Sequence, residues 1–319
     1  KIIGEPVQSI ERITYGYTNK IYSINGRYIL KICTNERNRD NFKRASLFCQ
    51  KYFGSINCQK VLYSCLDTDN DWQIEEQAKG ENLFFKWNQL NKDEKEDIMK
   101  KICVELKKIH EIPITDVFKS NFKPEDWKRK LEKDILKKID SLENKGLNFV
   151  GLYEKIKEYM AQNLETLDET DFRVCHTDMH FDNIMIDDDN NITILDYDRL
   201  RISSLDYELN IFNIMSKTPD LVANDELKEQ VKKEDYSEIL SMIQENYPEM
   251  FKFDNLNERL NIYALKHYLG LLGVVKEKDR VINALTEIVG EKNLTKEDGE
   301  REEELKRQRL HYEVSVCLI

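Results

Sequence analysis

The stretch from residue 172 to residue 198 constrains the fold more than any other part of the chain. It reads FRVCHTDMHFDNIMIDDDNNITILDYD. Two short apolar runs, 172–175 and 184–186, flank a polar loop, and five consecutive Asp and Asn residues follow at 187–191. Such residues favour tight turns, because their side chains bond nearby backbone and tolerate left-handed geometry. The stretch therefore predicts strand, loop, strand, turn and strand, ending on two carboxylates.

Four polar residues of this stretch have the spacing of a phosphoryl-transfer site. His176, Asp178 and Asn183 lie in the loop, and Asp196 follows the last apolar run. The set resembles the kinase signature of a catalytic-loop Asp and Asn with a downstream metal-binding Asp. Phosphoryl transfer needs a carboxylate that accepts the proton of the attacking hydroxyl, and Asp178 fits that role. Asn183 and Asp196 fit the oxygen ligands that Mg²⁺ prefers, and His176 is predicted to brace the loop.

The same residues could be ordinary loop polars, and a single His-x-Asp would favour that interpretation. Four matches at the expected intervals, on a strand–loop–strand background, argue against chance. His180 and Asp182 lie in the same loop and could suggest zinc. Zinc sites need better-spaced His or Cys ligands with supporting partners, so zinc is rejected.

Composition narrows the class of protein. The 319 residues allow two domains or one large bilobed fold, and no apolar run approaches the length needed to cross a bilayer. No secretory signal is visible, and the seven cysteines, with no Cys-x-x-Cys pair, predict free thiols in a reducing compartment, the cytoplasm by default. The net charge of −11, with lysines and acids interleaved, argues against a nucleic-acid partner.

The N-terminal part predicts a small β-rich lobe. Runs 20–24 and 27–32 flank Asn25-Gly26, the strongest short hairpin signal. The preceding loop contains Gly16, Thr18 and Asn19, and it could bring backbone amides close to a phosphate. A plain hairpin is the alternative interpretation.

Lys31 lies in the second strand of the hairpin that follows that loop. It matches the kinase strand lysine that pairs the α- and β-phosphates. An outward lysine on an amphipathic strand is the alternative. Apolar side chains at helical spacing predict a helix over 39–53. Kinases place a glutamate on this helix to pair the lysine, but none lies near Arg44 to Ser46. Glu36 and Asp40 are the candidate substitutes.

Two more strands are predicted at 58–65 and 72–76, and an extended segment follows at 75–80. In a kinase this segment is the hinge, so the backbone of Glu76 and Ala78 is predicted to bond the nucleotide base. A simple interdomain linker is compatible with the same residues. The rest of the chain is mainly helical by its apolar period. Helices are predicted at 92–110, 127–142, 147–167, 206–215, 235–247, 256–275 and 280–289, with a charged run up to 309.

Together these features make the chain similar to the aminoglycoside phosphotransferase and choline kinase-like family of small-molecule kinases. The resemblance is specific at HTDMHFDN (176–183) and ILDYD (194–198), and looser at GYTN (16–19) and YILKI (28–32). It implies an α+β, bilobed protein-kinase-like fold. Residues 1–78 would form a small antiparallel β-sheet lobe that binds nucleotide, and residues 79–319 a larger, mainly helical lobe with the catalytic loop and acceptor site.

The resemblance also implies a mechanism. ATP or GTP would bind with Mg²⁺ held by Asn183 and Asp196, Asp178 would align an acceptor hydroxyl, and Asp198 would line the same cleft. Either Asp206 or Glu208 could take the structural role of the family's Asp-Leu segment. Candidates for contacting the acceptor are Glu208, Asp235, Glu238, Tyr263, Lys266, His267 and Tyr268.

The acidic chain favours a cationic acceptor, an aminoglycoside or another amino-bearing alcohol. Kinases of choline, sugars and amino acids in the same family are the alternatives. A catalytically idle relative is a further alternative, supported by the missing helix glutamate. A protein kinase is disfavoured, because Tyr-Asp rather than Phe-Gly follows Asp196 and no Ala-Pro-Glu-like segment is present.

Overall fold

A computed structural model describes most of the chain. The described residues are 2–13, 19–68, 70–118, 122–149, 151–223, 228 and 230–290. Gly16, Thr18 and the charged run at 300–309 lie outside them.

Five antiparallel strands form the N-terminal sheet, in the spatial order β1-β2-β3-β5-β4. They are β1 (Ile10–Ile13), β2 (Asn19–Ile24), β3 (Tyr28–Cys33), β4 (Val61–Cys65) and β5 (Trp72–Glu76). The predicted hairpin joins β2 to β3, with φ of 55° at Asn25 and 62° at Gly26. Positive φ at both central residues is the geometry of the type I′ turn that Asn-Gly favours.

Helix α1 (Arg39–Tyr52) connects β3 to β4 and confirms the helical period predicted for this segment. Its apolar face is buried, and the ring of Phe48 stacks on Tyr197 at a centroid distance of 4.9 Å. Arg44 donates a 3.4 Å hydrogen bond to the carbonyl of Leu200. The helix is therefore docked on the segment that directly follows Asp196.

Two small strand groups carry the stretch 172–204. Strands β7 (Phe172–Cys175) and β10 (Arg201–Ser204) pair with each other, and β8 (Ile184–Ile186) pairs with both β6 (Glu81–Asn82) and β9 (Ile192–Ile194). The predicted turn at 187–191 closes the β8–β9 hairpin, where Asp187 Oδ1 accepts from the amides of Asp189 and Asn191. The predicted strand–loop–strand–turn–strand order is confirmed.

Helices make up most of the remaining described chain. They are α2 (Leu83–Trp87), α3 (Lys92–His110), α4 (Ile114–Val117), α5 (Pro124–Glu143), α6 (Leu152–Asn163), α7 (Leu209–Lys217), α8 (Lys233–Tyr236), α9 (Ile239–Asn246), α10 (Leu256–Leu272) and α11 (Asp279–Ile288). Helix α3 begins at a capping box, in which Asn91 and Glu94 each accept from the other's backbone amide. None of the described helices is long and apolar enough to cross a membrane.

The chain divides into two compact units, Lys1–Trp127 with Glu169–Leu260, and Lys128–Asp168 with Asn261–Ile319. The first contains every strand of the described residues and the 172–198 stretch. The described residues of the second are mainly helical, and among them Lys266 pairs with Asp134 at 2.7 Å. The boundary between residues 78 and 79 stays a prediction.

Gly80 sits where the chain passes closest to the β8 backbone. Its φ is +89°, and a Cβ added there would lie 1.9 Å from the carbonyl oxygen of Ile186. Gly54 has the same φ of +89°, but a Cβ there would meet nothing within 4 Å. Left-handed strain alone costs on the order of 1–3 kcal/mol.

We therefore expect Gly80→Ala to destabilise the protein more than Gly54→Ala, since only the first adds a backbone clash to the strain. Urea denaturation of the two variants measures the difference. Equal midpoints would show that the chain near Gly80 shifts freely away from β8.

Candidate active site

The loop from His176 to Asn183 is held by hydrogen bonds at both of its ends. His176 Nε2 donates to the Leu195 carbonyl at 3.0 Å, and its Nδ1 accepts from the Asp178 amide at 3.3 Å. Asn183 Nδ2 donates to the Asp178 carbonyl at 2.8 Å. These contacts fix the backbone on both sides of Asp178.

Thr177 has a left-handed φ of 62°, which is uncommon for a β-branched residue. The Glu208 carboxylate offsets this strain by accepting from the amides of His176 and Thr177, each at 2.8 Å. Glu208 in turn contacts His110 Nε2 at 3.3 Å, and His110 Nδ1 lies 3.1 Å from the Tyr247 hydroxyl. The loop is therefore supported by a buried series of hydrogen-bonded side chains, which includes His110 at the end of α3.

Glu208 and Asp206 were alternatives for one structural role, and each has a buried role of its own. Asp206 forms a bidentate ion pair with Arg259, at 2.7 and 2.8 Å. Both of these side chains are fully buried. Glu208 is also fully buried with both oxygens engaged, so its carboxylate is not available to an acceptor in this structure.

Asp178 keeps part of its carboxylate at the surface, with its side chain 15% exposed. Arg199 Nε lies 3.3 Å from Asp178 Oδ2, and Thr177 Oγ1 donates to the Arg199 carbonyl. Sequence reasoning missed Arg199, although it directly follows the carboxylates at 196 and 198. A cation beside a cluster of acids is the signal that points to it.

Asn183 and Asp196 lie side by side at one end of the β8–β9 hairpin. Asn183 precedes β8, Asp196 follows β9, and the Leu195 amide donates to the Asn183 carbonyl at 2.8 Å. Among the described residues, the hydrogen bonds of the Asn183 side chain all use Nδ2, so its Oδ1 remains available as an oxygen ligand. Asp196 has a left-handed φ of 56°.

Lys31 is buried and its ammonium faces the same segment. Lys31 Nζ lies 3.1 Å from Asp196 Oδ1 and 3.5 Å from Asp198 Oδ1, and Asn19 Nδ2 donates to Asp198 Oδ2 at 2.6 Å. Two strands of the N-terminal sheet thus reach the carboxylates after β9. In the described part of the chain, Lys31 pairs with these aspartates rather than with Glu36 or Asp40.

The electrostatics of this cluster follow from burial and charge. Burial opposes the charge of Lys31, but the neighbouring carboxylates outweigh it and raise the lysine pKa. Burial also acts against the Asp196 carboxylate, yet the ammonium of Lys31 holds its pKa below the usual value. Burial raises the pKa of Asp198, and the charge of Asp196 adds to that rise. The cluster is an acidic, partly desolvated site with one fixed cation.

The predicted hinge residues have different backbone environments. The Glu76 amide donates to the Lys60 carbonyl at 2.9 Å. Ala78 is half-buried, and its backbone groups make no hydrogen bond within the described residues. Only Ala78 of the two therefore has its amide open to a nucleotide base.

The other acceptor candidates belong to both units. Asp235 is half-buried, with its carbonyl accepting from Trp87 Nε1 at 2.8 Å, and Glu238 is exposed. Tyr263 and Tyr268 lie on α10 in the second unit, where both side chains are buried. Buried side chains on a helix are typical of interior packing, so the structure does not support these two tyrosines as acceptor contacts.

Comparison with known proteins places these residues in a wider context. A sequence model of the phosphotransferase enzyme family matches residues 9–232, more than half of the chain. The matched range contains the loop 176–183, the β8–β9 hairpin and strand β3, which carries Lys31. No curated protein sequence matches the chain.

Several solved structures share the fold over nearly their whole length. Aminoglycoside phosphotransferase APH(2'')-Ib with ADP bound is 18% identical, with a TM-score of 0.60 over 89% of this chain and 93% of that chain. The streptomycin–ATP complex of APH(2'')-IIa is 17% identical, with a TM-score of 0.62 over 90% and 93%. The GDP complex of aminoglycoside 2'-phosphotransferase-IIIa is 14% identical, with a TM-score of 0.62 over 90% and 93%. The predicted α+β, protein-kinase-like fold is confirmed.

Proposed function

Since the chain belongs to the phosphotransferase enzyme family, we propose that it transfers the γ-phosphoryl group of ATP or GTP to a hydroxyl group of a small cationic acceptor. The observation that carries the proposal is the convergence of Lys31 with Asp196 and Asp198, beside Asn183 and the Asp178 loop. An aminoglycoside is the favoured acceptor. The similar structures were solved with ADP, ATP, GDP or streptomycin bound, which supports both the donor and this class of acceptor.

The donor set suits a magnesium ion. Two carboxylates and the Asn183 amide oxygen are hard oxygen ligands, and magnesium usually takes few ligands from the protein. Asn183 and Asp196 would hold the ion, with Asp198 beside them. When bound, the ion supplies charge neutralisation between the β- and γ-phosphates.

The residues of the chain account for the remaining steps. Lys31 contacts the α- and β-phosphates with its buried ammonium, and the Ala78 amide bonds the base. Asp178 orients the acceptor hydroxyl in line with the γ-phosphorus and accepts its proton. A bond forms between the acceptor oxygen and phosphorus while the bond to the β-phosphate oxygen breaks, releasing the nucleoside diphosphate. Most of the rate comes from positioning and electrostatics.

The proposal is tested by nucleoside diphosphate release with ATP and with GTP, in the presence of Mg²⁺. The acceptor panel contains aminoglycosides, choline, sugars and amino alcohols. We expect turnover that depends on an aminoglycoside. Turnover with choline or a sugar instead would keep the kinase and replace the acceptor. Failure to bind any nucleotide would contradict the proposal and favour a catalytically idle protein.

Asp196→Ala tests the proposed metal role. We expect the variant to bind nucleotide at least about 10-fold more weakly when Mg²⁺ is present, because even outer partners of metal ligands contribute about 10–100-fold. In EDTA the variant should bind at least as tightly as the wild type, because without metal Asp196 only repels the phosphates and occupies Lys31. Isothermal titration calorimetry under both conditions measures this.

The matched control is Asp189→Ala, which removes an exposed carboxylate from the turn of the same hairpin. Its affinity for nucleotide should equal that of the wild type. If Asp196→Ala bound nucleotide as tightly as the wild type in the presence of Mg²⁺, Asp196 would not be a metal ligand.

A further inference from the structure

Helix α1 presents no carboxylate on the face that it buries. In protein kinases a glutamate of the equivalent helix pairs with the strand lysine and holds it for the phosphates. The only acid in the first turn of α1 is Asp40. The buried residues of α1 are Phe42, Ala45, Ser46, Phe48 and Cys49. The carboxylate that steadies Lys31 must therefore come from another element.

The register of the sheet puts Glu75 on the same face as Lys31. In the β3–β5 pair, Lys31 lies opposite Gln73, and Ile29 lies opposite Glu75. Residues directly opposite each other point to the same face, and so do alternate residues of one strand. Glu75 is thus a diagonal neighbour of Lys31, with backbones about 7–8 Å apart, a separation that long side chains can span.

Glu75 is a buried carboxylate with little compensation of its own. Glu75 is only 7% exposed to solvent. Gln73 Nε2 donates to its Oε2 at 2.7 Å, and its Oε1 makes no hydrogen bond within the described residues. Buried acids are rarely retained without a cationic partner. Lys31 is the buried cation of the described part of this sheet.

Lys31 needs a further carboxylate because the two aspartates that it now contacts have another task. In the structure its ammonium lies on Asp196 and Asp198. The proposed function, on which this inference rests, gives those carboxylates to the metal site and the ammonium to the phosphates. Once they are engaged, Glu75 is the buried carboxylate left on the lysine's own face of the described sheet, since Glu11, which the register puts on the same face, is exposed.

We propose that Glu75 is a positioning residue that replaces the missing helix glutamate and aims the Lys31 ammonium at the nucleotide phosphates. It acts through Lys31 and does not touch the reacting atoms. The signal in the sequence is an acid at an inward position of a central strand, two residues after another inward polar residue, Gln73.

A double-mutant cycle tests the proposal through nucleotide affinity alone. The dissociation constants of Mg·ADP and Mg·GDP are measured by calorimetry for the wild type, Glu75→Gln, Lys31→Met and the double variant. We expect Glu75→Gln to weaken binding about 10-fold in the wild-type background, within the range for coupled neighbours. In the Lys31→Met background the same change should have less than about a 2-fold effect.

Two further variants keep the result interpretable. Glu11→Gln removes an exposed glutamate from β1 of the same sheet and should leave affinity unchanged. Glu75→Asp keeps the charge on a shorter side chain and should bind with intermediate affinity, which matters if Glu75→Gln fails to fold. Thermal melting checks the fold of each protein.

The outcomes separate the two levels of the account. No loss of affinity in Glu75→Gln, or an equal loss with and without Lys31, would overturn the positioning role while leaving the kinase proposal intact. Failure of the wild type to bind either nucleotide would overturn the proposed function, and this inference with it.

Discussion

Asp178→Asn is expected to lower kcat by about 10²–10⁴-fold, the usual contribution of a positioned general base. The amide keeps the size of the side chain but cannot accept the hydroxyl proton. Lys31, Asn183 and Asp196 are untouched, so nucleotide affinity should stay within about 2-fold, since the change removes an interaction made only in the transition state. Steady-state kinetics with the best acceptor, together with calorimetry of nucleotide binding, measure both quantities.

Asp189→Asn is the matched control, because it makes the same chemical change at an exposed position of the neighbouring turn. It should turn over at the wild-type rate. Joint loss of turnover and nucleotide binding in Asp178→Asn would mean that another residue is the base. Retained turnover would lead to the same conclusion.

Arg259→Met is expected to give the largest loss of stability, about 3–5 kcal/mol, because it leaves the fully buried Asp206 carboxylate without its cation. Arg259 also donates to Ser204 Oγ and to the Glu169 carbonyl, so the substitution removes hydrogen bonds as well. A loss of this size is a large fraction of the stability of a typical domain. Urea denaturation measures it.

The double variant Arg259→Met/Asp206→Leu shows how much of the lost stability comes from the buried charge of Asp206 and how much from lost packing. Replacing both members of a buried ion pair by apolar residues is often neutral or stabilising. The double variant should therefore be more stable than Arg259→Met alone. If it is less stable, Asp206 has a role beyond pairing with Arg259.

Local signals predicted the elements that build the site. Asn25-Gly26 fixed the β2–β3 hairpin because few residues adopt positive φ at two successive positions. The Asp and Asn run at 187–191 predicted the second hairpin for a similar reason, since Asp187 bonds the turn's own amides. Each signal acts within a few residues and can be detected without tertiary contacts.

Features that depend on distant partners could not be predicted. The strand expected at 58–65 begins only at Val61. The backbone of Cys58 instead forms an isolated β-bridge with that of Ile194, far along the chain. The helix expected at 147–167 begins at Leu152, and here the cause is local, since Gly151 with a φ of +81° directly precedes it. An apolar period extends across such breaks without showing them.

The same limit applied to side-chain roles within the site. The partners of Lys31 are Asp196 and Asp198, which lie 165 and 167 positions further along the chain. No local pattern shows which acid a folded chain will bring to that lysine. Glu208 was a candidate for both a structural and an acceptor role, and only the two loop amides that it binds distinguish them.

The most direct test of phosphoryl transfer follows the transferred group itself. The protein is incubated with Mg²⁺ and ATP or GTP that carries a radiolabelled γ-phosphoryl group, and with streptomycin and the other aminoglycosides as acceptors. We predict that label moves to the aminoglycoside, and that Asp178→Asn slows the transfer by about 10²–10⁴-fold. Label released only as inorganic phosphate, at a rate that ignores the acceptor and survives Asp178→Asn, would contradict the account.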